Sequence, residues 1–367
     1  MNTNAQNYSP WLHRFIAVSA AATFLLLGSG GMVTSHEAGM SVPDWPNTYG
    51  YNMFLFPVSK WMGGIFYEHT HRLLASGIGF LTTVLAVWLW LRDSRQWMRW
   101  LGALALVLVA LQGVLGGLRV TLHMDKLGIV HGALAQLFFV FICALALFTG
   151  RWWLERRTPV RQVGAPRTDV DSADREIGAP MRWLVLFTTL LIFLQLILGA
   201  TMRHQHAGLA IPDFPAAYGT IWPDTSAAAV AHYNADRIEV ISENPITAFQ
   251  IVLQMAHRMG ALVIFIGVAV CAQQSWRRLG KNDPLAQLAV FWLALIAGQI
   301  ALGAWTIWSN KAADVATAHV LVGALSLVTG ALWCAAAFHR SAQLSPMEPA
   351  GTVYGAFGAH PALAGNK

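Results

Sequence analysis

Long apolar runs separated by short polar connections dominate the chain. Eight runs are separable, at 12–33, 64–91, 96–119, 127–149, 181–202, 246–275, 285–308 and 314–338. Each is long enough to cross a hydrocarbon core of about 30 Å as a helix of about 20 residues. Some run longer, which implies tilt or extension beyond the bilayer. An open sheet cannot satisfy its backbone groups in lipid, so the runs are read as helices. The pattern predicts an all-α integral membrane protein with eight transmembrane helices. The first run exceeds a signal-peptide core and flows into a structured-looking loop, so it reads as a retained helix.

The polar connections carry the topology. Arg92, Arg95 and Arg99, seven arginines from Arg151 to Arg182, and Arg277, Arg278 and Lys281 place thirteen cations on one face. The opposite loops carry six: Lys60, Arg119, Lys126, Arg203, Arg237 and Lys311. The bias predicts cytoplasmic termini, with loops 34–63 and 203–245 outside. The first ten residues hold no Arg or Lys, so no mitochondrial transit peptide is visible, and a bacterial inner membrane is the expected address. Residues 155–180 read as a cytoplasmic linker between a four-helix half at 1–154 and another at 181–340. Residues 341–367 read as a flexible tail.

Composition agrees. Of 367 residues 56% are hydrophobic and only 11% charged, and mean hydropathy is +0.49. A disordered chain, a nucleic-acid module and an ordinary cytosolic enzyme are excluded. The net charge of +6 reflects the loop bias rather than a nucleic-acid surface. Cys143, Cys271 and Cys334 lie inside or at the ends of apolar runs and suggest no disulfide framework.

The halves resemble each other. AGMSVPDWPNTYG at 38–50 and AGLAIPDFPAAYG at 207–219 share seven identical positions without a gap. Each follows the first span of its half. GG at 30–31 answers GA at 199–200, and LQGVLGG at 111–117 answers GQIALGA at 298–304, with small residues where helices can approach closely. The expected architecture is two tandem four-helix bundles related by a pseudo-two-fold axis near the membrane normal. The matched Asp44 and Asp213 are expected to shape their loops, with Trp45 and Phe214 as bulky covers.

Histidines fall into the same repeat. His71 and His131 lie on the second and fourth spans of one half, and His257 and His319 on those of the other. The separations are 60 and 62 residues. An imidazole within a membrane needs a partner. Two neutral imidazoles from facing helices can occupy both axial positions of a haem iron, with the bundle enclosing the macrocycle. A single such histidine would more readily be an interhelical hydrogen-bonding group. The duplicated pairing favours ligation, one haem per half. Arg72 and Arg258 follow the ligands and are candidates for pairing with haem propionates. For Arg72, an ion pair with Glu68 one turn earlier is the alternative. His36, His204 and His206 lie at the mouths of spans, facing haem propionates or the solvated interface.

One difference between the halves is chemical. Glu68 precedes His71 by three residues, where Gln254 precedes His257. An ionisable group in one half alone suits proton-transfer chemistry there, and a structural or electron-carrying haem in the other.

Taken together, GGMVTSHEAGMSVPDWPNTYG at 30–50, Glu-x-x-His-Arg at 68–72, LGGLRVTL at 115–122, IVHGALAQ at 129–136, AHR at 256–258 and GAWTIWSNKAADVATAHVLVGAL at 303–325 resemble the haem A synthase family. The resemblance covers nearly all of residues 12–339. It implies an oxidoreductase that converts the C8 methyl of haem O to the formyl of haem A for terminal oxidases. It also implies that His71 and His131 hold the substrate haem, that His257 and His319 hold a haem b, and that Glu68 is the functionally important glutamate. Candidate partners are the haem O synthase, terminal oxidase assembly factors, membrane lipid and a second copy of the chain. Two family features are missing: loop 34–63 has no cysteine, and Val33, Thr34 and Ser35 stand where other members carry Arg-Leu-Thr. The main rival reading is a di-haem b-type membrane cytochrome in quinone-linked electron transfer. A haem transporter and a scaffold with structural histidines are the others.

Overall fold

A computed structural model describes residues 8–124, 126–155, 178–237 and 245–344. Eight of its helices are long and apolar enough to cross a membrane. They are α1 (Pro10–Ser35), α2 (Gly63–Arg92), α3 (Gln96–Thr121), α4 (Leu127–Thr149), α5 (Ala179–His204), α6 (Ala248–Leu279), α7 (Pro284–Trp308) and α8 (Ala313–Leu344). They follow the eight apolar runs in order, so the protein is all-α with eight spans. Shorter helices occur at Arg151–Glu155 and Ala227–Ala235. The expected linker at 155–180 and tail at 341–367 lie mostly outside the described residues.

Local sequence sets the helix ends. Pro10 opens α1, and the Ser9 hydroxyl accepts from Leu12 N at 3.4 Å. Thr247 and Gln250 form a capping box at the start of α6. Asp283 caps α7 by accepting from Leu285 N at 2.8 Å, ahead of Pro284. Gly280 ends α6 at φ 80°, a conformation that costs other residues more.

Packing makes two four-cornered bundles. Helices α1 to α4 each contact the next and α1 closes on α4; α5 to α8 repeat the arrangement. Thus α2 and α4 stand at opposite corners, as do α6 and α8. The bundles meet where α8 packs on α1 and α4, and α4 on α5. In α8, 61% of the apolar window is buried, against 17–33% in the other seven, so α8 is the central helix.

One core joins Ile16, Leu85, Leu89, Met98 and Leu145 of the first bundle. Another joins Val185, Val268, Trp292 and Trp333 of the second. Phe139, Ala324 and Val328 pack between the bundles. Lipid tails are as apolar as these side chains, so close packing rather than water exclusion favours association. Leu25, Phe80, Leu91, Val107 and Phe187 point outward, as a lipid-facing surface requires.

Polar ties hold the Arg-rich end. Arg95 bonds both carboxylate oxygens of Asp93, at 3.0 and 2.7 Å, and donates to the Phe148 carbonyl at 2.9 Å, joining the α2–α3 turn to α4. Arg340 Nη1 meets Asp283 Oδ2 at 2.8 Å, joining the end of α8 to the start of α7.

Candidate functional site: two histidine pairs under matched loops

The four predicted histidines sit near one end of their bundles, on corner helices that face across the middle. In the second bundle the His257 and His319 ring centroids are 6.4 Å apart and inclined at 63°. With metal–nitrogen bonds of about 2.0 Å and a ring radius of about 1.1 Å, two imidazoles on opposite sides of one iron have centroids about 6 Å apart. The observed spacing therefore fits an iron between the rings. His71 and His131 lie within electrostatic reach of one another in the first bundle. Among the described residues no group of three or more His, Cys, Asp or Glu side chains is placed to hold a metal ion. The four histidines stand as two pairs instead.

Each histidine faces a glycine on the preceding helix. A β-carbon at Gly30 would lie 3.1 Å from His71 Cε1, and at Gly199 3.2 Å from His257 Cε1. The corresponding distances are 3.4 Å from Gly116 to His131 and 3.3 Å from Gly303 to His319. The missing side chains let the rings stand against the neighbouring helix. These four glycines were visible in the sequence as close-approach residues, but their partners were not.

Contacts behind the rings differ between the halves. Ser29 Oγ lies 2.8 Å from His71 Nδ1, whereas His257 Nδ1 is buried without a hydrogen-bond partner. The Gln195 amide instead donates to the His257 carbonyl at 2.7 Å. The Gln112 carbonyl approaches the His131 ring and the Gln299 carbonyl the His319 ring, although Nδ1 of His319 lacks a partner in hydrogen-bonding geometry.

The two repeat loops are built alike. Asp44 accepts from Tyr49 N at 2.7 Å and Gly50 N at 2.8 Å. Asp213 accepts from Tyr218 N and Gly219 N at the same distances. Tyr49 and Tyr218 both adopt positive φ, 49° and 52°. Their hydroxyls donate to the carbonyls of Ser41, at 2.6 Å, and Ala210. Burial pushes the Tyr218 phenol up to about 12, aided by Tyr233 stacked on it at 3.6 Å. It therefore stays a proton donor at neutral pH. The loop-shaping role expected of Asp44 and Asp213 is what these bonds provide.

Glu68 and Gln254 fasten those loops to α2 and α6. Glu68 Oε2 accepts from Val42 N at 2.8 Å, and Gln254 Oε1 from Ile211 N at 2.7 Å. Glu68 Oε1 also pairs with Arg72 Nη2 at 2.7 Å. Arg72 further donates to the carbonyls of Val42, Asp44 and Asn47. Arg258 donates to those of Asp213 and Ala216 at 2.7 and 2.8 Å. Both guanidinium groups thus hold the loops, and the alternative reading of Arg72 as the partner of Glu68 is realised.

Two other arginines, not singled out by the sequence, also act on the rings electrostatically. Arg119 is within electrostatic reach of His71 and His131, and Arg203 of His319. Arg203 also donates to the Gly31 carbonyl at 2.6 Å and to the Ser35 hydroxyl, tying α5 to α1. His36 stacks on Tyr67 at 4.0 Å, and His206 lies 3.9 Å from Glu37. His69, buried beside Phe56 and Trp61, meets the Thr48 hydroxyl at 3.1 Å.

Fold and site together define a multi-pass helical membrane protein with one inward-facing histidine pair in each of two bundles. The family profile COX15-CtaA, described as cytochrome oxidase assembly protein, matches residues 13–331. The chain belongs to this family. It is also similar to proteins named heme A synthase. One from Rhizorhabdus wittichii is 27% identical over 351 residues, covering 88% of this chain and 92% of the relative. One from Shewanella oneidensis is 25% identical over 339 residues, covering 87% and 93%. One from Lysinibacillus sphaericus is 22% identical over 329 residues, covering 89% and 94%.

Proposed function

We propose that this protein is a haem A synthase of a bacterial inner membrane, with cytoplasmic termini. In this reading residues 1–154 form the substrate half and residues 181–340 the haem b half, two repeats related by a pseudo-two-fold axis. His71 and His131 hold haem O; His257 and His319 hold haem b. The reaction carries the C8 methyl of haem O through an alcohol to the formyl of haem A, a net four-electron oxidation that adds one oxygen atom and is completed by an external oxidant, either dioxygen or water with a separate electron acceptor. The supporting observation is a histidine pair spaced for an iron, in a chain whose relatives carry that name over most of their length.

Haem b, when bound, supplies one-electron redox chemistry. The protein's own residues orient and exclude. Diagonal helices present the imidazoles, and the four glycines set how deeply the rings sit. The loops fastened by Arg72 and Arg258 cover the outer end, which is how these arginines would serve haem binding. Glu68 is the proton-handling group. It uses one oxygen on Arg72 and the other on Val42 N. A carboxylate has about four acceptor positions, so capacity remains for a proton leaving the substrate carbon. Gln254 performs the same fastening without that capacity.

The matched pairs equally suit a di-haem electron carrier. The Glu68/Gln254 difference weighs against it, because an electron carrier needs no proton-handling group in one half alone. In Glu68→Gln, bound haem O is expected to accumulate while haem A and its alcohol precursor fall about 100-fold or more. Chromatography of extracted haems measures this; undiminished haem A would remove the proton-handling role.

A further inference from the structure

The most informative difference between the halves lies behind the first histidine. Ser29 Oγ sits 2.9 Å from the Leu26 carbonyl one turn back on α1, as well as 2.8 Å from His71 Nδ1. The Leu26 carbonyl has no proton, so the hydroxyl donates to it. With its proton so engaged, Oγ accepts from His71. In that arrangement Nδ1 carries the ring hydrogen and Nε2 presents a bare lone pair. At the matching position on α5 stands Leu198, one residue before Gly199 as Ser29 is one before Gly30. His257 Nδ1 accordingly has no hydrogen-bond partner.

We propose that Ser29 is a positioning residue that fixes the tautomer and ring orientation of His71, and thereby makes the first-half iron site electronically different from the second. The inference rests on the haem-binding reading above. An acceptor on the distal N–H makes an imidazole a stronger donor to its metal and holds the ring in place. A more strongly donating ligand stabilises the ferric over the ferrous state. His257 lacks this support, so the two halves differ in ligand strength although their ligands are the same residue type. Gly30 is part of the device. A β-carbon there would lie 3.1 Å from His71 Cε1 and 3.6 Å from Nδ1, disturbing the ring that Ser29 orients.

The test uses full-length protein in detergent: wild type, Ser29→Ala, Ser29→Thr and Leu198→Ser, with His71→Ala to assign the first-half signal. Haem content and a spectroscopic redox titration resolving the two haems are the readouts. In Ser29→Ala, affinity for the first-half haem is expected to fall about tenfold or more. Its midpoint should rise while the second-half haem is unmoved. Ser29→Thr should restore both properties. Leu198→Ser should lower the second-half midpoint. A Ser29→Ala protein with unchanged first-half affinity and midpoint would overturn the proposal. If His71→Ala removes no haem signal, the haem-binding reading itself fails, a result distinct from a silent Ser29→Ala.

Discussion

Glu68 and Gln254 make the same bond to the loop above them, yet only one carries charge. The second half is thus an internal control for the first. A glutamine at 68 keeps the acceptor for Val42 N and loses the ion pair with Arg72. Glu68→Gln should therefore stay folded with its loop seated, and lose chemistry rather than structure. Glu68→Ala loses the same ion pair and also orphans the buried Val42 N–H, at a further cost of about 1–3 kcal/mol. A thermal shift much larger for alanine than for glutamine checks this. The histidine-facing glycines make a second residue-scale prediction. Gly199→Ala should displace His257 and lower retention of the second-half haem, leaving the first-half haem unchanged, as measured by extraction and chromatography. The histidines, Glu68 and the Gln254 exchange were legible because repetition marks them. Ser29, Arg119 and Arg203 were not, because each breaks the repeat and gains meaning only from what it faces.

Helices and loops show where pattern reading stops. Unbroken apolar length located all eight spans, since lipid demands it. It stopped short of the ends of the longest, and α6 and α8 run beyond the apolar core to Leu279 and Leu344. Those extensions carry the ties between helices. Asp283 both caps α7 and pairs with Arg340. Asp283→Ala should destabilise the α7–α8 pair by about 3 kcal/mol, and Asp283→Asn by less because it keeps the cap. Thermal unfolding in detergent should rank them in that order. The repeat loops were readable as packed segments from their shared prolines and aromatics. That Arg72 and Arg258 would grip these loops was hidden, because carbonyl acceptors leave no trace in sequence.

Across the whole molecule, the two bundles are joined through α8 and its contacts with α1 and α4, and Arg203 adds a polar link between α5 and α1. In the proposed topology, which rests on the cation bias of the loops, the histidine pairs lie toward the outer face. A cysteine introduced at Ala228 should react with a membrane-impermeant thiol reagent in intact cells. One introduced at Lys281 should react only after permeabilisation. The reverse pattern would invert the topology. The native cysteines interfere little, since Cys271 and Cys334 are buried and Cys143 is partly so.

The most direct measurement is haem extraction and chromatography of the purified protein, wild type beside His257→Ala and His71→Ala. Wild type should yield haem b together with haem O, haem A or the alcohol between them. His257→Ala should lose haem b selectively, and His71→Ala the haem O-derived pigments. Haem b alone in wild type, lost in part by each variant, would contradict the division into a substrate half and a cofactor half and identify an electron carrier instead.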